Sequence, residues 1–212
     1  MNARDALARL RRLGVPAVRT AEAAVALGLS KPAATMTLTR LAGLVTQVRH
    51  GLWWIDGPID PYRLPELLTA PYDSYLSLHT ALHLRGLIEQ IPEVFYVATQ
   101  GRTQRATTEV GTFSLHHLAP DVFGGFEETA TGLRLATAEK ALFDFAYLSA
   151  GRSRLFATLP ELELPRGFKE SEARRWLRKI PSARSRTLTD SRLSSFIAGS
   201  LTRARAAAGT VR

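Results

Sequence analysis

The sequence contains no cysteine among its 212 residues, which excludes disulfides and thiolate metal ligands. It also lacks an apolar run of about 18 residues, so no membrane span and no membrane partner are expected. The amino-terminal stretch is charged and has no apolar signal core, which argues against secretion. We therefore expect a cytoplasmic globular protein.

Acidic residues are scarce at both ends of the chain. Residues 1–56 hold 8 basic and 3 acidic groups, a balance of +5, and residues 151–212 hold 14 and 5, a balance of +9. The intervening residues 57–150 hold 6 and 11, a balance of −5, so the whole chain carries +9. Basic ends favour a polyanionic partner such as nucleic acid, because phosphate neutralisation releases counterions. The alternative is that these helix faces are simply solvated.

The amino-terminal quarter of the chain shows the pattern of three short helices. Apolar residues at helical spacing predict a first helix over residues 2–13. Thr20 is the expected N-cap of a second helix, which stops at Gly28. Ser30 is the N-cap expected for a third helix, over residues 31–42. Two short helices joined by so tight a turn are typical of a helix-turn-helix.

The third predicted helix presents a small, polar face. Ala34, Leu38 and Leu41 are expected to face the core. Most of the remaining positions are short or hydrogen-bonding, which suits the major groove because small residues let the backbone approach the bases. In the major groove arginine forms two hydrogen bonds with guanine, and threonine contacts bases, phosphates or a thymine methyl group. The DNA contacts that we expect on this helix are Lys31, Thr35, Thr37 and Arg40.

Two apolar segments around a basic tip follow the third helix. Residues 44–48 and 52–55 flank Arg49, His50 and Gly51, a pattern typical of a β-hairpin. In a winged helix this hairpin is the wing, so we expect Arg49 and His50 to meet the phosphate backbone or the minor groove. The alternative is that the three helices and the hairpin form a protein-docking module.

The end of the hairpin marks the expected domain boundary. Trp53 and Trp54 point to opposite faces of a strand, so we expect one in the core and the other against the first helix or the next domain. The turn-rich segment 56–61 follows them. We expect an α+β protein with a winged helix-turn-helix domain over residues 1–56. A mixed α/β domain over residues 60–212, with a small sheet and several helices, is expected after it.

The second domain is expected to alternate between helices and strands. Helical spacing predicts a helix over residues 74–84. Alternating or short apolar segments predict strands over 94–98, 112–118 and 132–135. The polar, basic segment 101–107 is expected to be a loop between strands.

The carboxyl-terminal part is expected to be helical and basic. Thr137 is the expected N-cap of a strongly apolar helix that runs to Leu148, and residues 169–198 are expected to form two helices broken near Pro181. The basic residues of this region either extend the DNA footprint, form a partner-docking surface, or lie on a solvated helix face. They include Arg174, Arg175, Arg178, Lys179, Arg184 and Arg186.

Three strings in the second predicted domain follow one another in a specific order. The first is YLSLHTAL at residues 75–82, followed by Gly86-Leu87-Ile88. The second is Val97-Ala98-Thr99 with the Gly101-Arg102-Thr103 segment and Gly111-Thr112-Phe113, and the third is LATAEKALFD at residues 135–144. Together with the amino-terminal pattern, they resemble the AbiEi family of abortive-infection antitoxins over residues 5–198.

This resemblance implies a function that residue spacing does not show. Members of that family pair a DNA-binding winged helix with a larger carboxyl-terminal domain and repress their own operon by binding inverted repeats. Their carboxyl-terminal domain counteracts a co-encoded toxin of the nucleotidyltransferase-like class, in many systems without a stable complex. The alternatives are a stand-alone transcription regulator and a module that sequesters a toxin directly.

The sequence offers no arrangement typical of an enzyme. A nuclease needs clustered carboxylates around a divalent metal, and the acidic residues do not fall in such a spacing. His79 and His83 have i, i+4 spacing but lack the glutamate of a His-Glu-x-x-His motif. His116 and His117 are consecutive on a predicted strand and face opposite sides. We therefore expect no catalysis, no cofactor and no metal site.

Overall fold

The computed structural model describes residues 2–151, 156, 159 and 161–209, with side chains described as far as residue 200. Eight α-helices and two β-sheets occur in these ranges, so the protein mixes helices and sheets as the sequence predicts. None of the helices in the described ranges combines the length and the hydropathy that a bilayer-spanning segment requires.

The amino-terminal unit, residues 2–55, contains three helices and a three-stranded sheet. In chain order its elements are α1 (Ala3–Arg11), β1 (Ala17–Arg19), α2 (Thr20–Leu27), α3 (Lys31–Arg40), β2 (Thr46–Arg49) and β3 (Leu52–Trp54). The central strand β3 pairs antiparallel with β1 on one side and with β2 on the other. The three helices and the hairpin lie within a few residues of their predicted positions, whereas β1 has no counterpart in the prediction.

A tight turn joins α2 to α3. Gly28 ends α2 with a φ of 68°, a left-handed conformation that a residue with a Cβ rarely adopts. Two residues later, the Ser30 side chain accepts a hydrogen bond from the backbone N–H of Ala33 at 3.4 Å. The stop and start signals predicted for these two helices are therefore confirmed.

The predicted N-cap of α2 is wrong. Thr20 is the first helical residue, and its Oγ1 accepts a hydrogen bond from Nε1 of Trp53 at 3.1 Å. Arg19 occupies the capping position, and its backbone N–H donates to the Glu22 carboxylate at 2.7 Å. The hydrogen bond between Trp53 and Thr20 therefore links β3 to α2.

Two hydrophobic cores meet at the three-stranded sheet. Trp53 belongs to the smaller core, among residues of α1, α2 and α3. Trp54 belongs to the larger core, which also includes Ala17, Val48 and Leu52. Successive side chains of a strand point to opposite faces, so β3 contributes one tryptophan to each core. This confirms the prediction for the tryptophan pair.

The second sheet has six strands and forms the centre of the rest of the chain. They are β4 (Ser74–Leu76), β5 (Phe95–Thr99), β6 (Gln104–Thr108), β7 (Gly111–His117), β8 (Phe126–Glu128) and β9 (Arg134–Ala136). Their order across the sheet is β6-β7-β5-β4-β9-β8. The pairs β5/β7 and β4/β9 are parallel, and the other neighbours are antiparallel.

Five helices accompany this sheet: α4 (Leu64–Thr69), α5 (Leu78–Leu84), α6 (Ala138–Ala150), α7 (Glu170–Arg175) and α8 (Ala183–Gly209). The buried helix α6 packs against both α5 and α8. Thr137 accepts a hydrogen bond from the backbone N–H of Lys140 at 3.2 Å, so its predicted role as N-cap is confirmed. Separate helices on either side of Pro181 are confirmed as well.

Two predictions for the second sheet are wrong. The helix predicted over residues 74–84 begins only at Leu78, because residues 74–76 form β4 between β5 and β9. The loop predicted over residues 101–107 contains the start of β6, an edge strand that pairs only with β7. Short buried strands and polar edge strands show little hydrophobic periodicity, so neither is visible in the pattern.

Candidate nucleic-acid interface

The exposed face of α3 carries most of the predicted DNA contacts. Ala34 and Leu38 are fully buried on the opposite face of the helix, and Leu38 belongs to the smaller core. Lys31, Thr35 and Arg40 are exposed, and Thr37 is half-buried at the margin of the face. The exposed face also includes Met36 and Thr39, which are not among the predicted contacts.

The threonine hydroxyls of α3 bond to their own helix. Oγ1 of Thr35 donates to the Lys31 carbonyl at 3.1 Å, Oγ1 of Thr37 to the Ala33 carbonyl at 2.8 Å, and Oγ1 of Thr39 to the Thr35 carbonyl at 2.9 Å. Each hydroxyl proton is therefore used within the helix. A ligand meets the methyl group and the oxygen lone pair instead, which suits apolar contacts and hydrogen-bond donors.

Two cationic residues, Lys31 and Arg40, lie on α3. Within the part of the chain that the structure describes, neither Lys31 nor Arg40 forms an ion pair or a side-chain hydrogen bond. The sequence has no acidic residue between Glu22 and Asp56. The positive field of this surface is therefore free to act on an anion from outside the protein.

The hairpin adds a second cationic group. Arg49 is half-buried and His50 is exposed at the turn between β2 and β3. Arg19 on β1 and Arg49 on β2 both pair in register with Leu52 of the central strand. Burial and the neighbouring Arg19 cation lower the pKa of Arg49 from its ordinary value. Both effects disfavour the charged guanidinium, so a bound anion would stabilise it.

Arg19 is the member of this group that sequence analysis missed. Its position beside Arg49 depends on β1 joining the far side of β3, and a three-residue strand shows no usable period. The six predicted residues thus fall into two groups. Lys31, Thr35, Thr37 and Arg40 lie on α3, and Arg49 and His50 lie on the hairpin beside Arg19.

One side of the hairpin adjoins the second sheet. A groove of about 420 Å³ runs between them, lined by residues of β2 and its turn and by the end of the β6–β7 hairpin. Arg49 and His50 line it from one side, and Thr108 and Glu109 from the other. Glu109 is thus a carboxylate close to the predicted contact residues Arg49 and His50, although it forms no ion pair among the described residues.

Much of the basic carboxyl-terminal region is occupied by internal contacts. Arg174 pairs with Glu170 at 2.6 Å and with Asp190, and Arg175 pairs with Glu172 at 3.2 Å. Arg186 donates to a backbone carbonyl at 2.9 Å, and the Lys179 ammonium lies 4.3 Å from the centroid of a tryptophan ring. These contacts neutralise or engage several of the basic side chains of this region within the protein itself.

The acidic residues that the structure describes do not form a metal cluster. Asp144 is fully buried beside Lys140, and it accepts hydrogen bonds from Ser77 at 2.7 Å and from Tyr75 at 3.0 Å. Among the residues with described positions, no group of three or more His, Asp or Glu side chains is arranged to hold a metal ion. The i, i+4 spacing of Lys140 and Asp144 is typical of an ion pair on one helix, so this pair could have been predicted from the sequence.

Comparison with known proteins does not assign this chain to a family. Protein-family models give no match, and a search of curated protein sequences gives none either. The resemblance to the AbiEi family stays a prediction.

Proposed function

We propose that the amino-terminal unit is a winged helix-turn-helix that binds double-stranded DNA, and that the protein represses its own operon. The observation that carries this proposal is the exposed face of α3, with a row of threonines and two cations that have no ion-pair partner among the described residues. The element order α1-β1-α2-α3-β2-β3 supports the proposal, because the helix-turn-helix pair is followed directly by a hairpin.

In this proposal α3 enters the major groove. Arg40 has the guanidinium fork that matches the two acceptors of guanine, and the outward methyl of Thr35 suits a thymine methyl. Lys31 lies in the first turn of α3, where the positive end of the helix dipole also favours a phosphate.

The hairpin supplies contacts to the phosphate backbone. Arg19 and Arg49 flank the same central residue without an ion-pair partner among the described residues. A phosphate placed between them would offset their mutual repulsion and release counterions from the DNA. His50, at the exposed turn, adds a hydrogen-bond donor. Such contacts position the protein on the duplex, whereas α3 reads the sequence.

We further propose that the protein is the antitoxin of a toxin–antitoxin pair, with residues 60–212 counteracting a nucleotidyltransferase-like toxin. The support is the family resemblance of the strings at residues 75–82 and 135–144. Both strings build the larger core through β4, α5 and α6, so the resemblance concerns the architecture of the second sheet more than a surface site.

Operator binding is the experiment that tests the DNA-binding proposal. The full chain is titrated into a labelled duplex of its own upstream region, across a salt series, beside Arg40→Ala and the double variant Arg40→Ala/Arg49→Ala. Loss of a bidentate base contact costs roughly 1–3 kcal/mol, or about 5- to 150-fold in affinity. Loss of one phosphate contact reduces the salt slope by about 1.

The matched control for this experiment is Arg175→Ala, which removes an exposed arginine that is already paired with a carboxylate. It should leave the affinity and the salt slope unchanged. Binding that is sequence-blind, and equal in wild type, Arg40→Ala and the double variant, would contradict the assignment of α3 and the hairpin.

The antitoxin proposal is tested with substitutions rather than with a truncation. Deleting the amino-terminal unit would remove Ala17, Val48, Leu52 and Trp54 from the larger core, so a loss of function would be uninformative. Cells that express the co-encoded toxin receive wild type or Arg40→Ala instead. Protection that survives the loss of operator binding places antitoxicity in residues 60–212. Absence of protection by wild type would leave a stand-alone regulator.

A further inference from the structure

A pocket of about 710 Å³ opens in the second part of the molecule. Its lining comes from α5, from the segment before β5, from strands β5, β6 and β7 with the turn before β6, and from Leu159. No residue of the amino-terminal unit is among the lining residues. The volume falls within the range of small-molecule sites, which combine apolar walls with a few placed polar groups.

One wall of this pocket is aromatic. The Tyr96 ring lies 4.6 Å from the His79 ring and 6.1 Å from the His116 ring, measured between centroids. The Tyr96 and His116 rings are nearly parallel, with an interplanar angle of 14°. Burial lowers the pKa of both histidines to about 4, so both rings are neutral at pH 7. His116 is buried, with its ring 4.9 Å from that of Phe156, so the partly exposed rings of Tyr96 and His79 are the stacking surface for a flat ligand.

Polar groups of several kinds surround the aromatic wall. Gln90 and Gln104 contribute amide donors and acceptors, and Ser114 contributes a hydroxyl that is bonded to His116 at 2.8 Å. Arg105 and Glu93 also line the pocket. The charges of these two residues act in opposite directions on the pKa of Tyr96, which burial raises, so both lie near its phenol.

We propose that this pocket binds a free mononucleotide, with its base against Tyr96 and His79 and its phosphate at Arg105. The glutamine amides match the donors and acceptors of a base edge, and Glu93 is an acceptor for sugar hydroxyls. A simple aromatic acid could stack on the aromatic wall and pair with Arg105, but its carboxylate would then lie near the Glu93 carboxylate, which would have no partner. A nucleotide has a chemical partner for each of these groups.

This site lies beyond the proposed DNA interface, and its test uses no DNA. AMP, GMP, CMP and UMP are titrated calorimetrically into the full chain, and the nucleoside of the tightest binder is titrated beside it. The variants are Tyr96→Leu and Arg105→Ala, with Arg102→Ala as the matched control. Arg102 is an exposed arginine in the turn between β5 and β6, and it does not line the pocket.

The expected result is binding of at least one mononucleotide. Tyr96→Leu should weaken it at least about tenfold through loss of stacking. Arg105→Ala should weaken binding of the nucleotide but not of the nucleoside, so that the variant binds both with the same affinity. Arg102→Ala should bind like wild type, and thermal unfolding confirms that each variant is folded. The proposal is overturned if no mononucleotide binds at 1 mM, or if Arg105→Ala and Arg102→Ala behave alike.

Discussion

Replacing Lys140 with methionine should destabilise the protein far more than any surface charge change. Lys140 and Asp144 have no exposed side-chain area and form an ion pair within α6. The lysine ammonium also donates to the Val122 carbonyl at 2.8 Å and lies 4.5 Å from the Trp176 ring centroid. Methionine keeps the apolar stem but leaves the aspartate with hydroxyl donors only. Burial already raises the pKa of Asp144, so the unpaired carboxylate is strongly disfavoured.

The expected loss for Lys140→Met is about 3–5 kcal/mol, the usual cost of removing one partner from a buried ion pair. For a chain of this length each kcal/mol lowers Tm by about 2–4 °C, so the expected drop is roughly 6–20 °C. The measurement is thermal and urea unfolding of the full chain followed by circular dichroism. Glu170→Gln is the matched control, because it breaks an i, i+4 pair whose side chains are 38% and 45% exposed. That change should cost less than about 1 kcal/mol.

A double variant separates the pair interaction from simple loss of packing. Lys140→Met with Asp144→Leu leaves no buried charge, so it should cost less than the sum of the two single changes. The reasoning is refuted if Lys140→Met costs no more than Glu170→Gln. Strict additivity of the two buried substitutions would refute it as well.

Three further outcomes are expected. Burial lowers the pKa of His79 and of His116 to about 4 in the folded protein, against an ordinary value of 6.5. Between these two values only the unfolded chain binds the protons, so the free energy of unfolding should fall by roughly 2 kcal/mol per histidine from pH 7 to pH 5. His116→Gln should make this fall smaller, as measured by urea unfolding. Gly125→Ala should destabilise more than Gly57→Ala in the same assay, because both glycines have positive φ but only the Cβ at 125 would meet Trp176, at 2.6 Å. Glu109→Gln should tighten operator binding, roughly twofold at low salt, because it removes a carboxylate beside the hairpin cations; equal affinity in anisotropy titrations would contradict this.

The parts of the fold that sequence predicts well are those set by local signals. Gly28 and Ser30 act on their own backbone neighbours, so the turn between α2 and α3 is visible without tertiary information. The same holds for Thr137 at the start of α6. Most of the α3 contact set follows from helical spacing, because the inward residues Ala34 and Leu38 determine which positions face outward.

The parts that sequence does not predict depend on pairing between distant segments. β1 and β4 have three residues each and become strands only because β3 and β5 lie beside them. The sequence therefore does not predict that Arg19 lies beside Arg49, although both residues are basic. The aromatic wall of the pocket is likewise invisible, since it combines α5 with β5 and β7.

The three-stranded sheet makes the amino-terminal unit an integral part of the molecule. One of its faces carries Trp53 into the smaller core, and the other carries Trp54 into the larger core, each nearly fully buried. Separating the unit from the second sheet would expose Trp54 and the side chains around it, which is unfavourable in proportion to the apolar area. The orientation of α3 relative to the second sheet is thus set by packing on both faces of β3. In this arrangement α3, the helix that we propose to bind DNA, packs in the smaller core against a sheet whose other face packs in the larger core.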